Sequence, residues 1–362
     1  MKENRTTPSI TVFSLGGTIA STAVAGHEGV DVRMSGDDLV DAVPGVRDLA
    51  SIEVRTFRAV PSGDLRMDAL VELAAAIDGC FAGGSDAVVV TQGTDTLEET
   101  AFVLDLLVRS DRPVVLTGAM RNPTQPGADG PANLTAAVRV AASGLTTGMG
   151  AVVVFNDEIH AARLVAKRHT TSTATFGSPL AGPLGHVLED RVRVLLQPPG
   201  RLTVRLLTPP AEAAVALVTI GLDDDGRLLR QVLHAGFDGL VVAAFGGGHV
   251  PASLVPDLEA LARTIPVVLS SRTLAGPILR GTYGYPGGEI DLARRGLISA
   301  GALGAFHSRN LLQVLLMAGT DRQVIAAAFE DVLTAIGRRV IEAPPQPLRP
   351  ARTPSNPGGA AT

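Results

Sequence analysis

The sequence predicts an α/β protein of two domains: a larger N-terminal domain with a mostly parallel sheet flanked by helices, and a smaller α/β domain after it. Three observations carry this. Strand-length apolar runs alternate with segments of helical period as far as Gly118. The alternation stops after Ala151 and resumes at Ala214. The 362 residues suffice for about two domains of ordinary size.

In chain order, "ITVFSL" from Ile10 is the first strand and "IEVRTF" from Ile52 the second. "DAVVV" (86–90) and "PVVLTG" (113–118) are the third and fourth. Between them Met67, Leu70, Val71, Ala74 and Ile77 recur at helical spacing, as do Leu97, Ala101, Leu104 and Val108. Thr96 with Glu99 reads as a capping box opening the second of these helices. Residues 151–176 read as short β segments, so the expected N-terminal domain is 8–188. The Pro-, Arg- and Leu-rich stretch 189–212 reads as an inter-domain link with room for a short hairpin. The C-terminal domain is expected over 213–343, with strands at "AVALVTI", "DGLVVAAF" and "PVVLSS". Its helices are expected near 228–234, 253–263, 302–317 and 322–336. The Pro-, Gly- and Ala-rich tail 344–362 is expected to be disordered.

A net charge of −5 and a 3% aromatic content argue against a nucleic-acid partner. No apolar run is long enough for a transmembrane helix. The opening "MKENRTTPSI" has no apolar signal region, and Cys80 has no second cysteine to pair with. A cytoplasmic protein is the expectation. Of the 31 lysines and arginines, only Lys2 and Lys167 are lysine.

Candidate reactive residues follow the strands, where ligands sit in parallel sheets. Gly16 and Gly17 end the first strand and Thr18 comes next. A dinucleotide or phosphate cradle needs a third spaced glycine, a prompt helix or a Walker-type lysine, and none is present. The turn therefore reads as one that presents the Thr18 hydroxyl. The segment Ser21–Gly36 after it reads as a long loop. Ser62 follows the second strand. After the third, Gly93 makes a turn and Thr94-Asp95-Thr96 stand at a helix N-terminus. Thr96 is a capping residue on this reading, whereas Thr94 and Asp95 offer more hydroxyl and carboxylate than one cap needs. Free N–H groups there suit an anionic oxygen. Lys167 lies among apolar and hydroxyl residues in "RLVAKRHTTSTATF". Arginine cannot give up its proton, but a desolvated lysine can. A threonine hydroxyl needs such a base, and a Thr94–Lys167–Asp95 relay would supply it to Thr18.

With "GGTIAS", "TQGTDTLEETAF" and "PVVLTGAMRNPTQPGADGPANL" in view, the chain resembles the bacterial-type L-asparaginase (asparaginase/glutaminase) family from Ile10 to about Ile336. The resemblance implies a two-domain asparaginase-like fold and hydrolysis of L-asparagine to L-aspartate and ammonia, without cofactor or metal. It also implies a homotetramer, a dimer of intimate dimers. It makes Thr18 the nucleophile, with Thr94, Asp95 and Lys167 in the second catalytic cluster. Asp95 also matches the aspartate that binds the substrate α-amino group. Ser62 matches the serine on the α-carboxylate, with Gly63 and Gly93 beside it in the substrate-binding set. Glu289, in "GYPGGEIDL", matches a glutamate that reaches the α-amino group from the neighbouring subunit.

Three positions depart from the family pattern. Gly29 stands near the place of a loop tyrosine, and the only tyrosines are Tyr283 and Tyr285. Gly63 stands where members with glutaminase side activity carry glutamine, which points to weaker contacts with glutamine. His249, in "GGGHVP", stands where some relatives have asparagine; it could bond substrate-binding neighbours or serve structure alone. Asp129 caps the helix after it or fixes its loop. His160 and His169 lack the spacing of metal ligands. Two further readings share these residues: a dual glutaminase-asparaginase or related amidohydrolase, and an amino-acid-binding or sensing protein that has lost turnover.

Overall fold

The computed structural model describes residues 7–17, 19, 21–23, 30–32 and 35–343. Thr18, Gly26, Gly29 and the tail 344–362 lie outside the described residues.

The chain enters as β1 (Ser9–Ser14). The stretch expected as a loop after it holds a short antiparallel ribbon, β2 (Ser21–Ala23) with β3 (Val30–Val32). There follow α1 (Gly36–Asp41), β4 (Ser51–Thr56), α2 (Met67–Ala82), β5 (Ala87–Thr91) and α3 (Leu97–Leu107). Then come β6 (Val114–Thr117), α4 (Gly130–Ser143), β7 (Ala151–Phe155) and β8 (Glu158–Ala161). A two-residue ladder, β9 (Ala166–Lys167) with β10 (Phe176–Gly177), precedes the hairpin of β11 (Gly185–Leu188) and β12 (Arg191–Val194).

One eight-stranded sheet takes the order β12-β11-β8-β7-β6-β5-β1-β4. It is parallel from β4 to β7 and antiparallel from β7 onward through β8, β11 and β12. β5 and β7 are buried along their whole length, as parallel strands covered on both faces must be. Ile10, Val12, Val89 and Val115 pack with Leu134 and Val138 of α4 on one face. Phe13, Val88, Val90 and Leu116 pack with α2 and α3 on the other. Cys80 is buried within α2.

The stretch 189–212 holds β12 and then β13 (Gly200–Val204). β14 (Val215–Thr219) opens the second unit, followed by α5 (Arg227–His234), β15 (Gly239–Ala244), α6 (Val255–Thr264) and β16 (Val267–Ser271). After these come α7 (Glu289–Arg294), β17 (Ile298–Ser299), α8 (Ala305–Met317), α9 (Arg322–Asp331) and β18 (Gly337–Ile341). β14 to β17 form a parallel sheet in chain order, and β18 pairs parallel with β13.

The two units share core. Phe102 and Leu106 of α3 belong to the same apolar cluster as Leu311, Leu312 and Leu315 of α8. His307 sits in this seam, buried, edge-on to Phe102 with ring centres 4.8 Å apart and Nε2 3.0 Å from the Ala162 carbonyl. Burial pushes its imidazole down to about 4.

Candidate active site

Three chain segments that leave the carboxyl ends of β1, β4 and β5 converge. Gly17, at φ +86°, lies so close to Gly93 that a Cβ on it would stand 2.1 Å from the Gly93 nitrogen. Only glycine permits this approach of one backbone to another. A Cβ on Gly93 would in turn stand 2.8 Å from Ser62 Oγ and 3.3 Å from Gly17 Cα. The glycine before Thr18 is thus held against the turn that carries Thr94. Thr18 itself lies outside the described residues.

After Gly93 a single 3₁₀ turn, Thr94–Thr96, leads into α3. The capping box expected of Thr96 and Glu99 does not form. Thr96 stands at the N-cap of α3 without a side-chain capping bond, and its hydroxyl donates instead to the Ser62 carbonyl at 2.8 Å. Glu99 accepts from Asn310 Nδ2 of α8 at 3.1 Å. Thr96 therefore ties the Ser62 turn to the Thr94 turn. Ser62 and Thr94 are both buried.

Lys167 comes to this point from the far side of the sheet sequence, on β9. Its Nζ donates to Thr94 Oγ1 at 2.9 Å and to Asp95 Oδ1 at 2.6 Å. The Asp95 side chain is exposed and the Lys167 side chain largely covered. A buried hydroxyl, an amine and an open carboxylate are therefore in one hydrogen-bonded line. The main-chain N–H of Lys167 is also bonded, at 2.5 Å, to Oε2 of Glu98. Glu98 is 8% exposed, and burial pushes its carboxyl up to about 7, against the opposing pull of the Lys167 amide. Sequence reasoning passed over Glu98, because an acid in the first turn of a helix is what the helix dipole favours anywhere.

The other residues expected at the site are elsewhere or open. Gly63 faces open space: a Cβ there would meet no described atom within 4 Å. Glu289, in the first turn of α7, is 2% exposed and accepts the Thr282 and Tyr283 N–H groups at 2.7 Å each. Its second oxygen is 3.3 Å from Nε2 of His249. Burial pushes this carboxyl up, but the two amides and the imidazole outweigh it and hold the group below the usual carboxylate range. His249 also meets Tyr283 edge-on at 4.8 Å. Glu289 and His249 thus lie together in the C-terminal unit, and among the described residues neither bonds to Thr94, Asp95 or Lys167 of its own chain. Asp129 makes no capping bond for α4; it holds the loop before it, accepting from the Met120 and Arg121 amides at 2.9–3.1 Å and from Asn133. Among the described residues no cluster of three or more His, Cys, Asp or Glu side chains could hold a metal ion, and no helix is long and apolar enough to cross a membrane.

The fold is a two-domain α/β protein with a threonine hydroxyl joined to an amine at the carboxyl edge of its parallel sheet. Comparison with known proteins gives the family. The asparaginase N-terminal domain model matches residues 9–200, and the glutaminase/asparaginase C-terminal domain model matches 214–329. A "Probable L-asparaginase" of Deinococcus radiodurans is 38% identical over 330 residues, covering 89% of this chain and 97% of the relative. The "L-asparaginase 2" of Escherichia coli is 34% identical over 337 residues, covering 89% and 92%. A crystal structure described as probable cytoplasmic L-asparaginase from Campylobacter jejuni superposes with a TM-score of 0.80 at 32% identity, over 89% of this chain and 99% of that one. The chain belongs to the asparaginase family.

Proposed function

We propose that the chain hydrolyses the side-chain amide of L-asparagine, giving L-aspartate and ammonia. The observation that carries this is the Lys167 amine on Thr94 Oγ1 and Asp95 Oδ1, beside the contact between Gly17 and Gly93. In this reading Thr18 is the nucleophile. Its oxygen attacks the carboxamide carbon while its proton passes through Thr94 to the Lys167 amine, which acts as the base. Backbone N–H groups at the Thr94 turn hold the oxyanion. The proton returns to the amide nitrogen, the C–N bond breaks and ammonia leaves. Water then cleaves the β-aspartyl ester on Thr18, and the threonine regains its proton.

Ser62, with Gly63 and Gly93, receives the substrate α-carboxylate, and Asp95 the α-amino group. Glu289 serves the α-amino group of a neighbouring subunit's substrate. What supports this is that its carboxylate is charged, held by two amides, and not engaged with its own chain's Thr94 cluster. A homotetramer built from intimate dimers would complete each site. No cofactor takes part in this scheme. We place the protein in the cytoplasm, in line with the naming of the Campylobacter neighbour; a relative from Haemophilus influenzae carries the name "Probable L-asparaginase periplasmic". Cell fractionation decides between the two.

Ammonia release from asparagine and glutamine by the wild type and Thr18→Ala tests the whole reading. Asparagine turnover that Thr18→Ala abolishes is the expected result. Equal kcat/KM for the two amides would favour the dual glutaminase-asparaginase. Binding without turnover in both proteins would favour the amino-acid sensor.

A further inference from the structure

Lys167 hangs from a strand of two residues, paired only with β10 through Phe176 and Gly177. So short a ladder fixes the start of a four-carbon side chain poorly, yet the amine must meet two partners at once. The missing constraint comes from α3. The same first turn that follows Thr94 and Asp95 sends Glu98 across to the main-chain N–H of Lys167. One short segment therefore grips the lysine at both ends: the amine through Thr94 and Asp95, the backbone through Glu98.

We infer that Glu98 is a positioning residue for this site: its carboxylate fixes where Lys167 leaves β9 and so keeps the amine on Thr94 and Asp95. The inference rests on reading Lys167 as the proton carrier. A helix dipole favours an acid in a first turn, but only weakly, and it does not explain why the acid is buried. A bond to the lysine backbone does. The charged groups around Glu98 are Lys167 on β9 and Glu99 beside it on α3, with Asp95 on the turn ahead. From α8, Arg309 and Asn310 face Glu99, and neutral His307 lies one turn along against Phe102. When ionised, Glu98 accepts the Lys167 amide most strongly and favours the positive charge that develops on the amine as it takes up a proton. Turnover should therefore rise as Glu98 loses its proton.

The chain holds only Lys2 and Lys167, so labelling with [α-¹⁵N]lysine marks two backbone amides in the full-length protein. In the wild type the Lys167 amide shift should follow one ionisation near pH 7, and in Glu98→Gln that ionisation should vanish. Glu98→Ala should lower kcat for asparagine by ~10-fold or more with KM changed less than ~3-fold. Glu98→Gln keeps a carbonyl acceptor and should recover most of that loss, with the ionisation near pH 7 gone from its kcat profile. An amide that does not titrate overturns the inference, as do equal kcat values for the Ala and Gln variants or a loss confined to KM. Should Glu98→Ala fail to fold, the titration in wild type and Glu98→Gln still decides. Should the wild type release no ammonia while its Lys167 amide titrates as expected, the amidohydrolase reading falls and the coupling of Glu98 to Lys167 stands.

Discussion

Two buried groups near α3 should give the protein a deceptively flat dependence of stability on pH. His307 titrates in the fold at about 4 rather than 6.5, so its contribution is full above 6.5 and is lost as pH falls towards 4. Glu98 titrates at about 7 rather than 4.5, so its contribution is full below 4.5 and is lost as pH rises through 7. At about 1.4 kcal/mol per tenfold change in proton affinity, each is worth roughly 2.5–3 kcal/mol between pH 7.5 and 4.5, with opposite sign. Urea unfolding of wild type, His307→Gln and Glu98→Gln at both pH values, at one protein concentration, separates them. Differences between the two pH values cancel whatever each substitution costs at all pH. Relative to wild type, acidification should stabilise His307→Gln and destabilise Glu98→Gln, each by roughly 2.5 kcal/mol. If both variants keep the wild-type difference between pH 7.5 and 4.5, the imidazole and carboxyl are not held as described and the reasoning fails.

Lys167→Arg keeps a cation beside Asp95 but cannot give up its proton to act as a base, so kcat should fall by ~10²-fold or more; near-normal ammonia release would leave the lysine a purely electrostatic role. Gly17→Ala puts a methyl into the Gly93 backbone at positive φ and should lower unfolding free energy by about 3 kcal/mol or more, read by urea titration. Gly63→Gln enters open space, so stability should hold. The ratio of kcat/KM for glutamine to that for asparagine should rise by ~10-fold, and an unchanged ratio would remove Gly63 from the selectivity argument.

The parallel half of the large sheet was legible because β5, β6 and β7 are near-continuous apolar runs and β4 alternates apolar with polar residues, patterns that differ from the period of the helices beside them. "DAVVV" reads as a strand and is β5; "PVVLTG" contains β6. Thr94, Asp95 and Lys167 were legible as a set because a hydroxyl–carboxylate cluster and a single internal lysine in an arginine-rich chain are both unusual. What the sequence hides is where side chains more than thirty residues apart meet. Thr96 looks like a cap because local bonding to its own helix is the default for threonine, and only the arrival of the Ser62 carbonyl redirects it. Glu98 looks like a dipole partner until β9, 69 residues further on, covers it. The interior of the stretch 21–36 lacks the long alternation that announces a strand, so its three-residue ribbon left no periodic trace.

The same contacts should make the floor of this site intolerant of change and its rim more permissive. Gly17, Gly93, Ser62 and Thr94 are linked by backbone approaches and by the Thr96 bond to Ser62, so moving any one moves the turn that bears the relay. Asp95 stands exposed at the end of that relay, and Gly63 faces open space. A packed floor fixes reacting atoms to within the tolerance that proton transfer demands, whereas an open rim leaves room for substrate and for a second subunit. Glu289 is held apart from this cluster in its own chain. Its carboxylate is kept ionised by two amides and flanked by His249, Tyr283 and Tyr285, with both tyrosines partly exposed. A carboxylate kept ionised in this way is what the proposed role towards a neighbouring subunit's substrate would need.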